Sequence, residues 1–110
     1  MNKENAIAIF IYNRPDKTEG LLKSLRKNNN FKKFKYFIFS DGPKRNSEIN
    51  LIEDTRKIIK NFFVNIDYNI IENNSNIGLS KSIIKGVSYV LKRHKNIIVS
   101  ACQANLIVRD

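Results

Sequence analysis

The 110-residue chain carries 20 Lys and Arg against 10 Asp and Glu, a net charge of +10, with cationic residues dispersed along it and Asn, Lys and Ile abundant throughout. Net charge speaks to partners only loosely, and such dispersal reads as solvation charge ahead of a polyanion surface, so a nucleic-acid partner is not expected. One cysteine and one histidine cannot make an internal disulfide or fill a zinc cage, no stretch approaches the ~20 apolar residues that span a bilayer, and the start lacks a signal-peptide pattern. The expected setting is a single cytoplasmic domain over residues 1–110, with a thin core.

Ala6 to Ile11 is a continuous apolar run rich in β-branched and aromatic residues, the composition of a strand covered on both faces. Its polar end, Tyr12-Asn13-Arg14-Pro15, leads into Asp16-Lys17-Thr18-Glu19, which has capping-box spacing. Leu21, Leu22 and Leu25 then share one helical stripe, and this first helix is expected to end in Asn28-Asn29-Asn30. Lys35 to Ser40 repeats the strand pattern around Phe37, Ile38 and Phe39, and Asp41-Gly42-Pro43 breaks it with turn chemistry.

Ser47 is placed to cap a second helix in which Ile49, Ile52, Ile59 and Phe62 or Phe63 recur at helical intervals, with Glu53, Lys57 and Lys60 on its polar face. Val64 to Glu72 alternates as a third strand. The last helix has Leu79, Ile83, Val87 and Leu91 in a stripe, supported by Ile84 and Val90, and ends in cationic Lys92, Arg93 and His94. Asn96 to Val99 restarts a strand, and residues 100–110 read as an irregular tail.

Strands alternating with helices predict an α/β fold: a parallel Rossmann-like sheet of about four strands, with three helices on its two faces and right-handed crossovers. In such a sheet every strand's carboxyl end lies on one edge, so polar tips distant in sequence can line one crevice.

Three tips qualify. Asp41 ends an apolar strand and is followed by Gly42; a carboxylate there accepts hydrogen bonds from ribose hydroxyls or a base N–H, although Asp-Gly-Pro is equally a plain turn. Asn76, Gly78 and Lys81 open the last helix, where free N–H groups and a cation can face a phosphate, or where the segment is simply cap and turn. Asn13 and Arg14 occupy the first tip, where an arginine fork suits a base or diphosphate, or merely a helix start. The spaced glycines of a phosphate loop and of a dinucleotide fingerprint are both missing, which argues against an ATPase or a dehydrogenase. His94 and Cys102, one histidine and one cysteine with no orienting residue identifiable in the sequence, are not assigned as base and nucleophile.

Taken together, Ala8-Ile9-Phe10-Ile11-Tyr12-Asn13-Arg14-Pro15, Ile38-Phe39-Ser40-Asp41-Gly42-Pro43-Lys44 and Asn76-Ile77-Gly78-Leu79-Ser80-Lys81-Ser82-Ile83 resemble the amino-terminal half of GT-A-fold glycosyltransferases, bacterial relatives of the family-2 and N-acetylglucosaminyltransferase I type. The resemblance implies a sheet in the order 3-2-1-4 and a nucleotide-diphosphate-sugar ligand, usually a uridine nucleotide. Asp41 would contact base or ribose, Tyr12 to Arg14 would line the nucleoside, and Asn76, Gly78 and Lys81 would border base and diphosphate. It also implies Mn²⁺ or Mg²⁺ held by an acidic motif after the fourth strand. Here Ser100-Ala101-Cys102-Gln103-Ala104-Asn105 stands at that place without a carboxylate, and Asp110 is an unsuitable substitute. The expectation is therefore a form truncated at the metal motif and lacking the acceptor half. It binds nucleotide sugar without an assigned catalytic or metal-ligating residue, and an exposed sheet edge is left available for self-association. The alternative is a small basic α/β module that binds nucleic acid or a protein partner without catalysis.

Overall fold

A computed structural model describes residues 5–101. Four strands, β1 (Asn5–Ile11), β2 (Lys35–Ser40), β3 (Tyr68–Glu72) and β4 (Asn96–Ala101), form one sheet in the order β3-β2-β1-β4, with every pairing parallel. The expected order and strand sense are both found. Three α-helices connect them: α1 (Pro15–Arg26), α2 (Ile49–Phe62) and α3 (Leu79–Leu91). None of these helices is long and apolar enough to cross a membrane.

β1 explains the layering. Its alternate side chains point to opposite faces, and both sets are buried. Ile7, Ile9 and Ile11 join Leu22 of α1 and Ile59 of α2 in one cluster, while Ala6, Ala8 and Phe10 join Val90 of α3 in the other. Helices therefore cover the sheet on both sides. The first cluster is sealed by aromatic rings around Phe63, which stacks on Tyr68 at 5.0 Å and meets Tyr36 at 5.1 Å.

Several local expectations need correction. The capping box does not form: Arg14 is the N-cap of α1 without a side-chain bond, Pro15 opens the helix, and Thr18 is buried. Pro at the first helical position needs no N–H partner and has the right φ already, so the start is set without the box. α1 ends at Arg26, ahead of the asparagine run. Ser47 does not cap α2; it lies inside a short 3₁₀ turn, Asn46–Glu48, that runs directly into the helix. β3 begins at Tyr68, because Asn65 takes a left-handed φ of 65° and Ile66 N–H bonds back to Phe63, a turn that leaves Val64 61% exposed. In α3 the buried positions are Ser82, Gly86 and Val90, so Leu91 and Ile84 point away from the sheet, 49% and 67% exposed. β4 extends to Ala101, and the remainder of the expected tail lies outside the described residues.

Candidate functional site

All four strands run the same way, so β1, β2 and β3 end on one edge, and the loops after them meet there. Two carboxylates hold those loops together.

Asp41 follows β2 directly, its N–H continuing the parallel ladder to Ile11 O at 3.1 Å. Its side chain is 3% exposed and turns into the protein. Oδ1 accepts from Gly42 N at 2.9 Å, Ile77 N at 3.0 Å and Asn73 Nδ2 at 3.3 Å; Oδ2 accepts from Gly78 N at 3.0 Å and Asn76 Nδ2 at 3.1 Å. Asn76 Nδ2 also reaches Gly42 O at 3.1 Å. A buried anion among this many donors is fully compensated. Chemically it is a strut joining the tip after β2 to the start of α3.

The glycines on either side of this strut are required by geometry. At Gly42 a Cβ would stand 2.6 Å from Ser75 N and 2.7 Å from Asn73 O, because the loop after β3 crosses the residue at backbone distance. Gly78, the N-cap of α3, has a φ of 89° and a ψ of 154°, a region that side-chain-bearing residues avoid.

Glu48 is the second anchor. It accepts the Tyr12 hydroxyl and Lys44 N–H (2.9 Å) on Oε1 and Asn13 Nδ2 (3.0 Å) on Oε2. The loop after β1 is thereby tied to the loop after β2. The Tyr12 hydroxyl and then the Lys44 N–H hold the Glu48 carboxyl below its ordinary value. Burial, followed by donation to Glu48, pushes the Tyr12 phenol up to about 12.

Arg56 of α2 completes the assembly from below. Its guanidinium reaches Ser40 Oγ at 2.6 Å, Asn73 O at 2.9 Å and Asp41 O at 3.3 Å, and lies 3.9 Å from Glu72, which Lys60 approaches at 3.1 Å. The fork thus pins the ends of β2 and β3 side by side.

The sequence-derived site residues are distributed as follows. Tyr12 and Asn13 sit half-buried on Glu48, while Arg14 is exposed at the start of α1. Asp41, Asn76 and Gly78 are joined in one hydrogen-bonded cluster. Lys81 is exposed in the first turn of α3, on the same edge as Asp41, and Arg14, Lys44 and Arg45 are exposed in the segments after β1 and β2. His94 lies at the opposite end of α3, its ring against Phe37 at 5.3 Å, and Cys102 falls outside the described residues. Sequence reasoning missed Glu48, Arg56 and Asn73. Glu48 and Arg56 belong to the polar part of an amphipathic segment, where nothing local distinguishes an anchoring charge from a solvated one.

The place that the resemblance assigns to a metal begins at Ser100 and runs beyond the described residues. Among the described residues no three His, Cys, Asp or Glu side chains are grouped to hold a cation. Asp41 and Glu48 are each engaged by N–H or O–H donors, which a cation would displace. So engaged, these two carboxylates do not fit a metal site. Compared with known families, curated proteins and solved structures, the chain matches no family model, no curated protein and no solved structure.

Proposed function

We propose that this chain is a GT-A-like nucleotide-binding domain whose ligand is a nucleotide-diphosphate sugar, a uridine nucleotide first among them. The observation that carries this reading is the convergence of three loop tips on one sheet edge, cross-tied by Asp41 and Glu48. Open parallel sheets take their ligands at this edge, beside the point where strand order reverses. That point lies between β1 and β4 here, next to Tyr12 and Asn13.

The chemistry of the rim supports an anionic ligand with a planar, polar end. Tyr12 supplies an aromatic ring and Asn13 an amide for a nucleoside, while Lys81 in the first turn of α3 supplies positive charge for a diphosphate. The motifs in Tyr12 to Pro15, Ser40 to Lys44 and Asn76 to Ile83 agree in order and spacing with the resemblance.

Isothermal calorimetry with UDP, UDP-sugars and UMP, each with and without Mn²⁺, tests the proposal. Binding in the micromolar to low-millimolar range that weakens on removal of the β-phosphate is expected. No heat with any nucleoside diphosphate at millimolar concentration overturns it.

A further inference from the structure

Asp41 and Glu48 both lie among the three tips, and counting their acceptor sites separates their roles. An ionised carboxylate offers about four lone-pair positions. Asp41 is buried and already meets donors from Gly42, Asn73, Asn76, Ile77 and Gly78, so no position is left for a ligand. Glu48 differs on both counts. It is only half-buried, and three donors reach it in hydrogen-bond geometry: Tyr12 Oη and Lys44 N on Oε1, and Asn13 Nδ2 on Oε2. The Arg45 backbone N–H also helps to hold this carboxyl low. Oε2, with a single such donor, keeps acceptor capacity on a side chain that solvent reaches.

We propose that Glu48, and not Asp41, is the carboxylate that receives the ribose hydroxyls of the bound nucleotide. This rests on the nucleotide-binding reading above and gives the ligand a direction. An acceptor-only anion repels phosphate, so the hydroxylated, neutral part of the ligand lies at Glu48 and the diphosphate lies toward Lys81. Tyr12, Asn13 and Lys44 hold the carboxylate from two loops, so little freedom remains to be lost when a hydroxyl docks. The sequence pattern alone places the role on Asp41, because a carboxylate ending an apolar strand looks available. Only the tertiary contacts show that it is spent.

The test compares UDP, 2′,3′-dideoxyuridine diphosphate and inorganic pyrophosphate on the wild-type chain and on Glu48→Gln. In the variant, the side-chain oxygen must face Tyr12 and Lys44, which places the amide N–H₂ where Oε2 stood. Wild type is expected to favour UDP over the dideoxy analogue by about ten-fold or more, the scale of one charge-assisted hydrogen bond. In Glu48→Gln that preference falls below about three-fold while pyrophosphate binds no more weakly. Thermal melting establishes that the variant is folded, and Glu48→Asp serves as a second variant that keeps the charge and restores part of the preference. A folded Glu48→Gln that still discriminates as wild type does, or a wild type that binds both nucleotides equally, overturns the assignment while leaving nucleotide binding intact. Absence of any nucleotide binding by wild type instead overturns the proposed function, and the assignment with it.

Discussion

Gly78 and Asp41 are 37 positions apart in sequence, yet the Gly78 N–H donates to Asp41 Oδ2 at 3.0 Å. The N-cap of α3 has no side chain, so the anion that helix N-termini favour arrives from the end of β2 instead.

Asp41→Asn puts an amide N–H₂ against donors that need an acceptor. Leaving even one or two of them unpaired in a buried site costs about 2–4 kcal/mol in total. Urea unfolding should register that loss, and amide hydrogen exchange should show Ile77 and Gly78 losing protection ahead of the β1 core. Unchanged protection at those two amides would mean that the strut is not formed in solution.

Gly42→Ala forces a methyl group into the backbone of residues 73–75, which cannot yield as a flexible side chain would. Overpacking of this kind costs roughly 1–3 kcal/mol. The midpoint of urea unfolding should fall with an unchanged slope, and the proposed nucleotide binding should weaken with it. A neutral Gly42→Ala would indicate that the loop after β3 stands off from the residue.

Arg56→Lys keeps the charge and loses the fork. One ammonium cannot serve Ser40 Oγ, Asp41 O and Asn73 O together, so carbonyls at the ends of β2 and β3 go unpaired. A loss of about 1–3 kcal/mol is expected, measurable by chemical denaturation. Equal stability of Arg56→Lys and wild type would place the value of Arg56 in charge alone.

Tyr12→Phe should alter stability at both ends of the pH scale. The Glu48 carboxyl titrates lower in the folded chain than unfolded, so its contribution is present above the unfolded value near 4.5 and is lost as pH falls through the folded one. The Tyr12 phenol titrates higher when folded, so its contribution is full below pH 10.0 and is lost as pH rises toward about 12. Removing the hydroxyl flattens both limbs. Tyr36, pushed to about 12 by burial, keeps part of the alkaline loss in the variant. Urea midpoints from pH 3 to 11 read this directly, and identical curves for the two proteins would rule out the Tyr12–Glu48 bond.

The alternation of strands and helices was legible in the chain because hydrophobic period and turn chemistry are local: Ala6 to Ile11, Lys35 to Ser40 and the Leu79 helix declare themselves within a few residues. The convergence of the three tips followed from parallel order alone. Local pattern failed where packing decides. The buried stripe of α3 centres on Gly86 and Val90 because Gly86 lies directly on the Phe10 ring, a contact that belongs to the way α3 crosses β1.

By itself, then, the sequence determined which segments become strands and helices, that their sheet is parallel, and that polar loop ends gather on one edge. Only the tertiary structure decided what each charge does there. Asp41 is turned inward and consumed, while Glu48 and Arg56, unremarked on the polar sides of their segments, become the ties between loops. The physical reason is that a strand or helix is recorded in the spacing of neighbouring residues, whereas hydrogen-bond saturation depends on donors contributed from 32 to 37 positions away.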